Sequence, residues 1–377
     1  MRAPLKPALP SSTRASGGVR IPVHERIVLG NGITLVIVAK HDVPVIAFQA
    51  VIRGGTLGDP EGRPGVASLV ANLLEKGAGE RSAYAFADAV EGAGGSFSAF
   101  AGAEVLSLSG QFLARDQELV VDLLADALLR PHLAREEFEK LRARQIELIK
   151  AAKDSDPAEL LSTYGRAALF GSHAYGRPVM GSELSLASIT PSDIREYYRA
   201  HVGADRLTLV FAGDVDPRAL ENAVRRAFGA APAAAVTLVQ PADASRLRGR
   251  RVFLIDSPDS EQAHFWIGNV GVSRHFTPRA ALDLVNTLYG GRFTSMLNTE
   301  LRIRTGLSYG ARSTFTRSAT PGEFSIRPFT QAESTALALR LSIDSLAMLR
   351  REGVSEEMLD SARAYVLGQY PLGFQTA

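Results

Sequence analysis

The chain contains no cysteine. That excludes disulfides, thiolate nucleophiles and Cys-ligated zinc or iron–sulfur clusters, and it leaves the compartment open, because reducing and oxidising spaces both tolerate the absence. Net charge is nearly absent too. Lys and Arg number 42 against 40 Asp and Glu, a formal balance of +2 without a concentrated basic block, so a nucleic-acid-binding role is not expected. Long apolar runs are missing: stretches such as Leu119–Leu129 and Ile33–Ala39 fall far short of the roughly 20 residues a membrane span needs. Residues 1–22 carry Arg2, Lys6, Arg14 and Arg20 among Pro, Ser and Gly with no apolar centre, and read as a flexible arm, not a signal peptide. The cytoplasm is then the default compartment, with the periplasm the alternative for a mature exported form given a new start Met.

Several catalytic signatures are lacking as well. The 7 histidines are His24, His41, His132, His173, His201, His264 and His275, too far apart for any helix to present two imidazoles at i and i+4. A metal would need His and carboxylate ligands gathered from separate segments. There is no Gly-x-x-x-x-Gly-Lys-Ser/Thr loop and no Gly-x-Gly-x-x-Gly opening a helix. Gly306-Leu-Ser-Tyr-Gly310 matches Gly-x-Ser-x-Gly by letter, but a nucleophile elbow needs a strand before the serine and a helix after it. The order here is the reverse, so Ser308 reads as an ordinary residue entering a strand.

What is present is an ordinary folded chain of 377 residues, 46% apolar, with room for two to three domains at roughly 100–200 residues each. Strands are expected at Arg26–Leu29 and Ile33–Ala39 around the Gly30-Asn31-Gly32 turn, then at Val45–Ile52, Ser96–Phe100, Glu104–Phe112 and Leu207–Ala212. Helices are expected at Gly65–Lys76, Tyr84–Gly92, Arg115–Leu129, Arg135–Asp154, from Pro157 to about Leu169, and at Pro191–Ala200. The charged helix Arg135–Asp154 reads as a solvated face or a subunit contact. Residues 229–250, rich in Ala, Pro and Arg, read as a linker with a boundary near Pro241. It divides a domain over 23–228 from a second over 251–377. There the order repeats loosely: strands Arg251–Ile255 and Ala263–Val270, helices Arg279–Leu288 and Thr294–Arg304, strands Tyr309–Phe315 and Gly322–Arg327, helices Gln331–Arg350 and Ser355–Leu367. Ala67–Gly77 and Ala281–Gly290 echo each other, each a helical run that follows a strand and ends in glycine. The second copy stops at Ala377 without a counterpart of Pro191–Ala212, so it is expected to be truncated or asymmetric.

Taken together, Leu29-Gly-Asn-Gly-Ile-Thr-Leu35, Arg53-Gly-Gly-Thr56, Pro64-Gly-Val-Ala67, Gly94-Gly95, His173-Ala-Tyr-Gly-Arg-Pro-Val-Met-Gly181, Gly213-Asp-Val215 and Leu301-Arg-Ile-Arg-Thr-Gly-Leu-Ser-Tyr309 resemble the pitrilysin/insulinase-like zinc peptidases, a family that includes the mitochondrial processing peptidase and bacterial two-subunit relatives. The resemblance implies an α+β fold of two homologous α/β sandwich domains. In active members the helix after Pro-Gly-x-Ala carries His-x-x-Glu-His, which supplies two zinc ligands and the general base, and a downstream glutamate is the third ligand. That slot reads Ser68-Leu-Val-Ala71-Asn72 in this chain, and the downstream position falls near apolar Ile149, with Glu147 an offset surface charge. Ser98-Ala99 stands where active members carry Asn-Ala to pair with substrate. The resemblance therefore implies a catalytically silent first domain that binds no cofactor. It also implies that an arginine and a tyrosine from the second domain complete an active site, and Arg302 and Tyr309 stand at that six-residue separation, with Arg304 off it. His173, with Tyr175 and Pro178, is expected to shape a loop.

The expected function is a non-catalytic subunit of a heteromeric, bacterial-type metallopeptidase acting on peptides. A zinc-bearing partner with His-x-x-Glu-His would supply the metal and the base, while this chain lends Arg302 and Tyr309. A purely structural scaffold, or a zinc hydrolase with a non-standard ligand set, are the alternatives.

Overall fold

The computed structural model describes residues 22–155, 157–257 and 260–374; of the arm expected over 1–22, all but Pro22 lies outside them. Strand β1 (Glu25–Val28) turns through Gly32, at φ +93°, into β2 (Thr34–Ala39). Asn31 holds this turn by donating Nδ2 to the Phe228 carbonyl at 2.8 Å. Then follow β3 (Val45–Arg53), α1 (Val66–Leu73), α2 (Ala83–Gly92), β4 (Ser96–Ala101), β5 (Val105–Leu113), α3 (Gln117–Leu129), α4 (Arg135–Ser155), α5 (Leu161–Phe170), α6 (Glu183–Ser188), α7 (Pro191–His201), β6 (Leu207–Gly213) and α8 (Pro217–Phe228). The six strands form one sheet in the order β1-β2-β6-β3-β5-β4. Inserted between β2 and β3, β6 runs parallel to the first and antiparallel to the second, with Leu207, Leu209 and Phe211 buried. Alternation of this kind fixes register, since a slip by one residue would turn every apolar side chain outward. Helix α1 is buried on every side except at Asn72, so it is a core element, packed among β4, α4 and α7.

The second half is thinner. It comprises β7 (Gln262–His264), β8 (Ile267–Val270), α9 (Arg279–Asn286), α10 (Met296–Asn298), β9 (Ala311–Phe315), β10 (Glu323–Gln331), α11 (Thr335–Glu352) and α12 (Glu356–Gln369). Strands β7 and β8 both pair with β10 in a single antiparallel register, His264 opposite Phe329 and Ile267 opposite Ile326. They are one strand broken where Phe265 donates to Pro328, which has no N–H to return the bond. On the other side of β10 lies β9. Tyr289, Leu297, Leu301, Ile326 and Ala338 form the small core.

Several expectations need correction. Arg251–Ile255 is not a strand: it has strand composition but pairs with no strand among the described residues. The helix expected over Thr294–Arg304 is the short α10 followed by a wider π-helical stretch, Thr299–Arg304, and a second such stretch, Thr287–Gly291, extends α9. The strand expected from Tyr309 begins at Ala311, and β10 runs past Pro328 to Gln331. Two helices were not expected at all. Helix α6 opens on a reciprocal Ser182–Ser185 capping box, and α8 has Asp216 accepting from the amides of Arg218 and Ala219, with Pro217 in its first turn. Residues 229–250 hold no helix or strand, but they are strapped down: Ala204 donates to Pro232 at 2.8 Å, and Asn269 bonds both the amide and the carbonyl of Leu247 at 3.1 Å.

The halves also meet directly. Glu104, just before β5, accepts from the Tyr175 hydroxyl at 2.5 Å and the Ala319 amide at 2.8 Å, and pairs with Arg274. The single tryptophan, Trp266, lies at the break between β7 and β8 and packs in a cluster with Leu169, Phe170 and Leu247.

Candidate functional site

Helix α1 starts where two of the sequence motifs converge. A methyl group on Gly65, at φ +106°, would come within 3.1 Å of Gly181 Cα, and Ser185 Oγ donates to the Pro64 carbonyl at 2.9 Å. The loop of His173–Gly181 thus braces the entry to α1. His173 itself is structural: its Nδ1 accepts from the Tyr175 amide at 3.1 Å, leaving Nε2–H to donate to the Ala242 carbonyl at 2.8 Å.

The first amides of a helix lack partners within it. Asp59 supplies them, Oδ2 accepting from Gly65 at 2.9 Å and Oδ1 from Ala67 at 2.7 Å. Burial pushes this carboxyl up to about 7, against the opposing pull of the two amides and the Arg177 guanidinium. Its folded value therefore lies above its unfolded one, so the folded chain keeps the proton longer and stability falls as pH rises from about 4 to about 7, then levels. The unfolding free energy of the wild type relative to Asp59→Asn is expected to drop by on the order of 3 kcal/mol between pH 4 and pH 7.5 in urea titrations. A difference that does not change with pH would exclude Asp59 as the titrating group.

Ser68 and Asn72 lie one turn apart on α1. Ser68 Oγ donates to Gln145 Oε1 at 3.4 Å, and Gln145 Nε2 donates to the Met180 carbonyl at 2.5 Å. Ile149, one turn beyond Gln145 on α4, is buried in the core, as is Ala71. Asn72 is half-buried and makes no side-chain hydrogen bond among the described residues. Gln145 was not anticipated from the sequence; the available signal was its position four residues before Ile149, on the same helical face. Glu147, the offset neighbour, is exposed and bonds Lys150 at 2.8 Å. Where the family resemblance calls for two imidazoles and two carboxylates, the chain places a hydroxyl, a methyl, an amide and a sec-butyl side chain. These neutral groups, of which Ser68 is bonded to Gln145, do not fit a zinc ion. Among the described residues, no group of three or more His, Cys, Asp or Glu could hold a metal.

Arg302 and Tyr309 come together. The turn from Arg304 through Gly306, at φ +65°, brings the Tyr309 carbonyl within 2.8 Å of Arg302 Nη1. The guanidinium lies over two rings, 4.2 Å from the centroid of Tyr309 and 4.7 Å from that of Phe293, so aromatic faces limit its rotamers. Tyr309 is 75% exposed, and its hydroxyl makes no hydrogen bond among the described residues. Arg304 is committed elsewhere, to Glu300 at 2.7 Å. Ser308 is buried and donates to the Gly310 carbonyl at 2.8 Å, an ordinary turn contact. In the first sheet, β4 is an outermost strand with one edge unpaired, and Ser98 on it contacts Ser109 across the pair.

Two family models match in succession: "Insulinase (Peptidase family M16)" over residues 35–183 and "Peptidase M16 inactive domain" over 188–366. The second begins ahead of β6, although β6 completes the first sheet. An uncharacterized zinc protease of Mycobacterium tuberculosis is 30% identical over 99% of this chain and 83% of its own length. A Helicobacter pylori protein named a non-peptidase homolog is 23% identical, over 89% of this chain and 77% of its own. Among solved structures, a peptidase M16 inactive domain from Pseudomonas fluorescens superposes with a TM-score of 0.83 at 23% identity, covering 92% of this chain and 86% of that one. That likeness establishes the α+β fold of paired peptidase-like units.

Proposed function

Since this chain belongs to the insulinase, or M16, family of peptidases, we propose that it is the non-catalytic subunit of a heteromeric zinc metallopeptidase, lending Arg302 and Tyr309 to a partner's active site. The observation that carries this reading is a contrast between two places in the one chain. The zinc-motif helix carries neutral groups, Ser68 bonded to Gln145 and Ala71 packed in the core. In the second half, the half-buried Arg302 guanidinium, held by the Tyr309 carbonyl and ring, lies beside an exposed Tyr309 whose hydroxyl makes no hydrogen bond among the described residues.

Both are donors, and donors held in place before reaction stabilise charge developing on a scissile carbonyl without reorganising at that moment. The partner, bearing His-x-x-Glu-His, supplies metal and base; nothing in the α1 slot of this chain activates water. Extended peptides are the substrate class, because an enclosure between two subunits admits chains that can add to an open strand edge such as that of β4.

The test measures peptide turnover by this chain alone, by the partner alone and by the two mixed. Turnover in the mixture only, or well above the partner's own, is expected. Turnover by this chain alone would instead favour a zinc hydrolase with a non-standard ligand set, and a mixture no faster than the partner would favour a scaffold. Metal analysis provides a separate check: the purified chain is expected to carry far less than one zinc per molecule, because neutral amide, hydroxyl and alkyl groups replace the charged ligands. Stoichiometric zinc that survives dialysis would contradict the reading.

A further inference from the structure

We propose that a cavity between the end of the first sheet and the segment 234–240 binds a carboxylate carried on a short aliphatic group. Its volume is about 330 Å³, at the small end of the roughly 300–1,000 Å³ typical of ligand pockets. It lies where β3 finishes and β6 begins: Ile52 pairs with Leu207, which brings Arg53 and Arg206 to the same end of the sheet. The segment 234–240 closes over them and is fixed at several points. Ala234 donates to Asp205 Oδ1 at 2.7 Å, Val236 donates to the Ala200 carbonyl at 3.3 Å, and the Val236 carbonyl accepts from Arg206 Nη2. A methyl on Gly203 would collide with the Ala234 backbone, so this close approach needs a glycine there. The wall is built before a ligand arrives, and little ordering is left to oppose binding.

Charge around the cavity is unbalanced. The Arg206 side chain is only 2% exposed, and a cation so buried normally meets a carboxylate. Its hydrogen-bond acceptors are instead neutral: His201 Nδ1 at 3.2 Å, the His201 carbonyl at 3.5 Å and the Val236 carbonyl. Burial, and then the guanidinium itself, hold the His201 imidazole below its usual pKa, in keeping with an unprotonated Nδ1 that accepts. Asp205 Oδ2 is 4.0 Å from Arg206 Nε, beyond hydrogen-bond reach. Arg53, exposed at the rim, donates Nη2 to the Asp205 carbonyl at 2.9 Å and makes no ion pair among the described residues. Two guanidinium groups and one carboxylate thus line the cavity, leaving a positive charge over.

The lining also defines the occupant. A guanidinium fork matches a carboxylate through two parallel N–H···O bonds. Val236 and Leu238 supply apolar surface beside it, which favours an aliphatic substituent over a bare inorganic ion. A phosphate would bring more negative charge than the cavity has in excess and would leave that surface unused. The C-terminal residue of a peptide and a free branched-chain acid share the chemistry required. No lining residue belongs to the Arg302 and Tyr309 pair, so this inference stands or falls independently of the proposed subunit role.

The test is calorimetric titration of the full chain with N-acetyl-leucine and with isovalerate. Saturable binding is expected, with N-acetyl-leucinamide and inorganic phosphate weaker by roughly tenfold or more. Tighter binding of N-acetyl-leucine would identify a peptide C-terminus as the ligand, and equal or tighter binding of isovalerate a free acid. Arg53→Gln should weaken binding of either acid by roughly tenfold or more; the side chain is exposed, so far-UV circular dichroism and the urea midpoint should be unchanged. A saturating acid should also slow amide exchange across 234–240 and leave that of 262–270 as it was. No saturable binding of either acid, equal binding of the amide or of phosphate, or full affinity in Arg53→Gln would overturn the proposal.

Discussion

Arg302→Ala is expected to lower the turnover of the reconstituted two-subunit peptidase by roughly two to three orders of magnitude, about 3–4 kcal/mol of transition-state stabilisation, the usual effect of deleting a donor aimed at a developing oxyanion. Tyr309→Phe removes only a hydroxyl and keeps the ring that supports the guanidinium, so its effect should be smaller and confined to kcat. Arg302→Lys keeps the charge but loses the planar fork and the stacking on Phe293, and should rescue little. The stacking makes the pair non-additive: the double variant should lose little beyond Arg302→Ala alone, because the phenol depends on the guanidinium for its setting. Association of the subunits should be unaffected, which separates catalysis from assembly. Unchanged turnover in both single variants would remove the proposed role and leave the scaffold reading in its place.

Gly55→Ala should be among the most destabilising single substitutions in the chain. Gly55 sits at φ +54°, and an added methyl would lie 2.3 Å from the Gly102 carbonyl, 2.5 Å from the Val105 amide and 2.8 Å from the Ala103 carbonyl, all backbone atoms that cannot swing aside. The Gly55 carbonyl also accepts from the buried Tyr197 hydroxyl at 2.7 Å, while Thr56 and Leu57 each donate into the 102–103 turn at 3.0 Å. Left-handed strain and steric displacement together should cost about 3–4 kcal/mol. Gly62→Ala is the control: φ is +73°, but nothing lies within 4 Å of the new methyl, so only the conformational penalty of about 1 kcal/mol applies. Urea midpoints for the two variants should differ accordingly. Equal midpoints would show that the loop relaxes and that Gly55 owes its place to something other than close approach.

The local signals in the sequence were dependable where one element could satisfy them. The run from Val66 to Leu74, closed by Gly77, carries apolar residues at helical spacing, and α1 forms there. Helix α8 was equally legible in principle, with Leu220, Ala223, Val224 and Phe228 on one face behind an Asp-Pro start; the alanine-rich stretch that follows obscured it. Arg251–Ile255 shows the limit of composition, since a β-branched, aromatic run becomes a strand only when a neighbour pairs with it. Pro328 shows the opposite limit. It lies inside a strand because the missing amide falls where the neighbouring strand is interrupted. The site divides in the same way. The family resemblance implied that Arg302 and Tyr309 belong together, but not the π-helical stretch and the Phe293 ring that set the guanidinium. Gln145 lies 77 residues along the chain from Ser68 and only the fold brings it to α1, whereas Asp59 stands just 6 residues before Gly65 and is missed because the turn between them is not legible in the sequence.

Glu104 has a mechanical consequence. A carboxylate that takes a phenol and a guanidinium along with a main-chain amide is a latch, not a hinge. Tyr175, from the same half as Glu104, orients the carboxylate, and the Ala319 amide and Arg274 guanidinium of the second half close on it. Parting the lobes would break the Arg274 and Ala319 bonds together and leave Glu104, of these three partners, with Tyr175 alone.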